Sequence, residues 1–352
     1  MKILISSDGI HAHYYQRVAW LKAFRAIGID AHLWDRSKIP AFDVFDTFEP
    51  DVFLGQLYNL DDGLMKCIME RPHLKTGFRA GDWGSHAATI EKDKYNVLTI
   101  TSEEADRLHR LQTQTGQVGF VHIHYDKDAI KQTHNFFQEK TQTEVLSLPM
   151  CADVFEYLKP EPKDTLKCDI GFVGGYWPYK GQVIDQYLTP LCHPIGKYNI
   201  KIFGNQPWGH INQYCGQLPD SLVPKLFASA KICPNFSEPH ASKYGFDMNE
   251  RAFKLLCSGA FCISDKVESF CKIFENNGII FADSPSDFHE KIDYYLEHPS
   301  ERKEVAQAGL SCVLNEHTSF HRISEVLGTL GFKKDASKAI KAIKELRSQA
   351  NV

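Results

Sequence analysis

The sequence predicts an α/β protein built from two doubly wound halves, and three observations predict it. Short apolar runs alternate with helical stretches, the alternation begins afresh at Lys167, and the proline- and charge-rich segment "EYLKPEPKD" lies between the two series. With 352 residues, of which 43% are hydrophobic and 24% charged, the chain can fill two cores at roughly 150 residues per domain.

In the first series, "KILIS" reads as a strand, and a helix over 14–27 carries Trp20, Phe24 and Ile27 on one stripe. "DAHLWD", "DVFLGQ", a helix near 62–70, "KTGFRA", "NVLTIT", a helix over 102–113, "VGFVHIH" and "TEVLSLP" follow. The second series runs "CDIGFVGG", a helix near 181–192, "NIKIFG", a helix near 220–229, "KICPNF", a helix near 248–258, "AFCISD" and "GIIFA". Strands that recur with helices between them imply parallel sheets covered on both faces. "DFHEKIDYYLEHP" and "PSERKEVAQAG" then read as two helices, the second opened by a proline and closed at Gly309. The last stretch, "KKDASKAIKAIKELRSQANV", is a basic helix with a narrow stripe of Ile340, Ile343 and Leu346. The expected division is residues 1–158, residues 165–330 and a C-terminal helix over 331–352.

A formal charge of −4 provides no broad basic field for nucleic acid, although a local patch is compatible with an acidic average. The chain starts directly on a strand without a leader pattern, and no apolar run reaches the roughly 18 residues that span a bilayer, so a cytoplasmic protein is expected. Ten cysteines are scattered singly without a CxxC pair, which favours small core residues over disulfides or zinc ligands.

Ligands of open α/β sheets bind at the carboxyl ends of the strands, so the residues just after each strand are the candidates for chemistry. In "DIGFVGGYW", Gly174 and Gly175 either make a tight turn or let backbone N–H groups approach a phosphate near a helix start. Arg251, in the first turn of the helix in "NERAFKLLCSG", can pair bidentately with a diphosphate. Asp8, Gly9, His11 and His13 follow the first strand; Asp8 serves either as a helix N-cap or as a ligand contact. Asp82 in "FRAGDWGSH" follows a strand between glycines that either permit close approach of substrate or serve only the backbone geometry of the turn. Trp83, Tyr176, Trp177 and Trp208 are stacking residues or packing residues. "HIHYDKDA" aligns His122, His124, Asp126 and Asp128 if its strand continues, as metal ligands or as ordinary helix caps.

The succession "CDIGFVGG … IKIFG … QLPDSLVPKLFASAKICPNF … NERAFKLLCSGAFCISD … FHEKIDYYLEHPSERKEVAQAG … HTSFHRI" resembles the C-terminal half of CgeB-like glycosyltransferases, over about residues 167–325. It is more distantly similar to the phage DNA β-glucosyltransferases, which share the strand-GG start, "FGN" and an arginine-bearing helix. The resemblance implies the GT-B fold, two Rossmann-like domains facing across a cleft, with the acceptor on the N-terminal domain and the nucleotide sugar on the C-terminal one. It implies a UDP-sugar donor bordered by Gly174, Gly175, Tyr176, Gly204 and Leu218, with Arg251 on the diphosphate and no required cofactor or metal. It also implies Asp82 as the base of an inverting transfer, with His11 in reserve, and Asp8, Gly9, His13 and Trp83 beside the acceptor. One departure stands out. Lys254 occupies the place where these families carry a glutamate for the donor ribose, and an ammonium cannot accept hydrogen bonds from a diol.

The expected activity is transfer of a sugar to an acceptor hydroxyl, on a glycan or on hydroxymethylated pyrimidine in phage DNA, by a monomer or weak oligomer. The alternatives are a noncatalytic nucleotide-sugar or partner-binding module of the same fold, and a sugar-phosphate epimerase of similar build.

Overall fold

In a computed structural model, residues 1–7, 12–80, 102–130, 135–206, 208–274 and 278–350 are described. The chain forms two compact units, one of Met1–Pro149 with Ser319–Gln349, the other of Met150–Thr318 with Ala350. Each is built on a parallel sheet.

The first sheet contains β1 (Lys2–Ser7), β2 (Asp30–Asp35), β3 (Val52–Gln56), β4 (Lys75–Arg79), β5 (Val118–Ile123) and β6 (Val145–Ser147), in the order β2-β1-β3-β4-β5-β6. The second contains β7 (Cys168–Val173), β8 (Ile200–Phe203), β9 (Ala230–Asn235), β10 (Cys262–Asp265) and β11 (Ile279–Ala282), in the order β11-β10-β9-β7-β8. Every pairing is parallel. β3 and β10 are buried at every position, as expected for strands covered on both faces. The predicted α/β class and two Rossmann-like sheets are therefore present. The expected strand "NVLTIT" lies outside the described residues.

The order of the second sheet fixes where its ligand crevice lies. From β7 the chain passes to β8 on one side and then returns to β9 on the other, so the switch point falls between the carboxyl ends of β7 and β9. Val173, Gly174 and Gly175 leave one of those ends, and Asn235 and Phe236 the other.

Tertiary contacts move several expected boundaries. The helix after Pro178 runs Pro178–Tyr187, because proline pre-sets the first turn, and a 3-10 turn completes the stretch at Thr189–Cys192. A short helix at Ala41–Phe48 adds an element that sequence periodicity did not register. The helix opened by Pro299 does not stop at Gly309 but continues to Glu316. Gly309 serves packing: a β-carbon there would lie 2.6 Å from Leu256 Cδ2 and 3.2 Å from Gly278 Cα. Gly278 has φ +114°, and its own β-carbon would lie 2.0 Å from Gly309 Cα. Gly278→Ala therefore forces backbone apart as well as straining φ, and should lower unfolding free energy by about 2–3 kcal/mol in a denaturant titration.

The C-terminal helices join the first unit, so its boundary differs from the expected 158 and 330. Ser319–Thr329 buries Phe320, Ile323, Val326 and Leu327 and packs on the helix Ala12–Ala26. Arg322 Nε donates to the Pro149 carbonyl at 2.7 Å, and Lys75 Nζ to the Leu330 carbonyl at 2.6 Å. The basic helix, Lys333–Ala350, buries Ala339 and Ile343 and leaves Ile340 exposed. All ten cysteines are free thiols and seven are buried, in keeping with their role as small core residues.

Candidate functional site

β7 ends at Val173, and its neighbours there have glycines where a side chain would not fit. A β-carbon on Gly204, after β8, would lie 2.3 Å from the Gly174 carbonyl oxygen. On Gly174 it would lie 2.8 Å from Nη2 of Arg251. These two glycines bring backbone and guanidinium to the same point, which explains the GG and FG signals in steric terms. Gly174 N donates to the Phe203 carbonyl at 2.9 Å, and its own carbonyl accepts from Trp208 Nε1 at 3.2 Å.

Arg251 spans the switch point. It sits one residue into the helix Glu250–Cys257, whose N-cap Asn249 accepts from Ala252 N. Its Nε donates to the Val173 carbonyl at 2.9 Å and its Nη1 to the Phe236 carbonyl at 3.5 Å, so one guanidinium ties the ends of β7 and β9 together. The guanidinium carbon lies 4.7 Å from the Phe172 ring centroid. Burial lowers its pKa to about 10, partly offset by Cys262, Glu250, Asp265 and Glu238. It stays cationic at neutral pH.

A second cation accompanies it. Lys180, in the first turn of Pro178–Tyr187, is buried, with Nζ 5.0 Å from the Trp177 ring centroid. Burial, reinforced by the nearby Arg251 charge and opposed by Glu238 and Asp265, lowers its pKa to about 7. Asp265 is itself buried, which raises its pKa, while hydrogen bonds from Ser237 N, Ser264 Oγ and Ser242 Oγ oppose the rise. His240 lies beside this group, its Nδ1 3.0 Å from Tyr179 Oη and its Nε2 3.3 Å from Asp247 Oδ2. Two buried cations held among carboxylates make a site suited to a di-anion that displaces the acidic counter-charge.

The site residues expected from sequence divide into three groups. Gly174, Gly204 and Arg251 come together as described, with Gly175 beside them, where a β-carbon would meet Trp177 and Asn205. Tyr176 turns toward the following helix: its Oη donates to Asp185 at 2.8 Å, and its ring lies 4.6 Å from His210 and 5.4 Å from Trp208. Leu218 is buried ahead of the turn Asp220–Leu222. Lys254 pairs instead with Glu250 at 2.9 Å and lies over Tyr157 at 5.4 Å. Asp8, Gly9, His11, Asp82 and Trp83 lie outside the described residues.

The Lys254–Glu250 pair gives the departure from the expected glutamate a structural account. Lys254→Glu would put two carboxylates where an ion pair stood, and should lower stability by about 2 kcal/mol in thermal or denaturant unfolding. Unchanged stability together with tighter UDP binding would instead mark the lysine as a misfit in a ribose site.

Sequence reading did not single out Lys180, nor Arg17 and Arg79 in the first unit. Lys180 carries a signal that could have been used: "PYKG" puts a lysine in a helix start two residues after Pro178. Arg17 donates to the carbonyls of Leu54 and Gly55 at 3.1 and 3.2 Å, and Arg79 Nε to Gln56 Oε1 at 2.7 Å, so both gather at the carboxyl end of β3. His122 is buried near them, and burial reinforced by both guanidinium charges holds its pKa well below the ordinary value. β5 ends at Ile123, so the alternation that would align His122 with Asp126 and Asp128 breaks off, and Asp126 Oδ1 accepts from Asp128 N at 2.9 Å. His13 lies with its ring 4.9 Å from that of His124.

Residues 186–328 match the family model described as Glycosyl transferase-like. No curated protein matches the chain by sequence. Among solved structures, the chain is similar to sucrose-phosphate synthase from Thermosynechococcus elongatus, with TM-score 0.62 and 9% identity over 99% of this chain and 100% of that one. It is similar to Anabaena HepE in complex with UDP and glucose, with TM-score 0.58 and 11% identity over 94% and 99%. It is also similar to T4 phage BGT in complex with UDP and Mn2+, with TM-score 0.53 and 12% identity over 96% and 99%. At these identities the structures speak for the shared fold. Residues 186–328 thus carry a Glycosyl transferase-like region, and the whole chain shares with these structures the fold of two Rossmann-like units that defines the GT-B class.

Proposed function

We propose that this protein transfers a sugar from a UDP-sugar to an acceptor hydroxyl, with the second unit as the donor domain. The observation that carries the reading is the convergence of Arg251 and Lys180 at the β7–β9 switch point beside Gly174. A nucleoside diphosphate fits this chemistry, since backbone can approach it and two cations neutralise the charge that grows on the leaving group. The relatives solved with UDP or UDP-glucose support the same donor class.

On this reading Asp82 removes the proton from the acceptor hydroxyl as its oxygen attacks the anomeric carbon, and the bond to the diphosphate breaks with inversion. His11 is the reserve base. Gly175, Tyr176, Gly204 and Leu218 border the donor, and Asp8, Gly9, His13 and Trp83 the acceptor, which is a glycan or hydroxymethylated pyrimidine in DNA. The CgeB-like resemblance and the phage BGT likeness support these two acceptor classes respectively.

The test is to incubate the purified chain with nucleotide diphosphate sugars and follow release of UDP by mass detection. Asp82→Asn should reduce turnover by about 100-fold or more while UDP still binds. A shift of hydroxymethylated DNA at low salt, set against glycan transfer, identifies the acceptor. If no nucleotide sugar is bound or turned over, the enzymatic reading fails and a noncatalytic partner-binding module takes its place.

A further inference from the structure

The second unit carries a basic pocket at the opposite ends of its strands from Gly174 and Arg251. It has a volume of about 470 Å³ and lies where β9 begins, where the turn Ser258–Phe261 leads into β10, and along the first turns of the helix Pro299–Glu316. Its described lining includes four cations, Lys159, Lys231, Arg302 and Lys303, and no carboxylate. In a chain with 44 acidic and 40 basic residues, that grouping is not expected from composition. Asp169 lies outside the lining and pairs with Lys231 at 2.8 Å. Lys159 Nζ donates to the Ala350 carbonyl at 2.7 Å, and Arg302 to the carbonyls of Tyr295 and Leu296, acceptors that leave both charges in place. Phe227 and Phe261 lie beneath the floor, nearly wholly buried, with their rings 6.3 Å from that of Tyr157 and 4.6 Å from that of Tyr295 respectively. Lys159 is held at φ 44°, a left-handed conformation that costs a residue with a β-carbon about 1 kcal/mol or more.

We propose that this pocket binds a small phosphorylated or carboxylated ligand that carries a flat ring, at a site separate from the donor site. The rim supplies a positive field around an apolar floor that Pro160, Pro162, Ala228 and Ala260 extend, which suits a flat ring, while lysines and an arginine suit its anionic substituent. Neither feature alone selects this class: an anion without a ring forgoes the floor, and a ring without charge forgoes the cationic rim.

The experiment titrates phenyl phosphate, phenol and inorganic phosphate into the full chain by calorimetry, in the wild type and in Arg251→Ala. Phenyl phosphate should bind saturably, at least about tenfold more tightly than phenol or phosphate, and equally well in Arg251→Ala. Lys303→Glu should weaken it at least about tenfold. Lys303 is exposed, so this variant keeps its melting temperature, and Lys231→Gln provides an independent second variant. The proposal is overturned if phenyl phosphate does not bind saturably, or if its binding is lost in Arg251→Ala and kept in Lys303→Glu.

Discussion

Arg251→Ala should weaken UDP binding by about 100-fold or more, close to 3 kcal/mol. Two effects add. The variant removes a charge-assisted partner for the diphosphate, and it leaves the Val173 carbonyl at the end of β7 without the donor it has at 2.9 Å. Arg251→Lys separates them: the cation is kept, but an ammonium cannot span the carbonyls of Val173 and Phe236 as the planar fork does. The lysine variant should therefore recover part of the affinity and little of the thermal stability. Calorimetric titration with UDP, paired with a melting curve of the unliganded protein, reads both. Wild-type affinity in Arg251→Ala would remove the diphosphate from this site altogether.

Lys180 should make UDP binding depend on pH. Its pKa is lowered to about 7, so in the unliganded protein the side chain loses its proton as pH rises through neutrality. A diphosphate favours the charged form, so binding above that pH takes up a proton and weakens as pH rises, by at most about tenfold per unit. At pH 8, titrations in buffers of different ionisation enthalpy should report uptake approaching one proton per UDP. Lys180→Met should abolish the uptake and weaken binding by about 100-fold at pH 6.5, where the wild-type lysine is charged. Equal heats in all buffers would sink the assignment.

The same shift has a consequence for folding, with the opposite sign. The unfolded chain holds this proton up to about pH 10.5 while the folded one releases it near 7, so between those values the unfolded state binds more protons. The Lys180 contribution to stability therefore rises with pH across that window and is least below it. Denaturant unfolding of wild type and Lys180→Met at pH 6.5 and 9 compares the two slopes.

Most of the fold was legible in the sequence. Strands buried on both faces are nearly continuous apolar runs, and "KILIS", "DVFLG", "DIGFV" and "AFCIS" need no tertiary knowledge to be read. Position relative to those strands then located Gly174, Gly175 and Arg251, because ligand crevices follow strand ends, while the family resemblance added Gly204. What periodicity alone does not carry is long-range partnership. Gly309 looked like a helix stop because glycine usually is one; it is retained mid-helix because Gly278 packs against it. The sequence division assigned residues up to 330 to the second half, yet the apolar face of Ser319–Thr329 finds its complement on Ala12–Ala26, some 300 residues earlier.

The candidate site divides along the same line. Residue type and place in the chain determined which residues stand at strand ends, such as Gly174 and Gly175, and that one helix carries Arg251 and, where the resemblance implies a glutamate, Lys254. Only the tertiary structure decided what each is paired with: Arg251 with the carbonyls of Val173 and Phe236, Lys254 with Glu250, and Lys180 with a buried setting that makes its proton labile. The physical reason is that charge, hydrogen bonding and desolvation depend on distances between residues far apart in the chain, and those distances exist only once the sheet order has set which strand ends are neighbours.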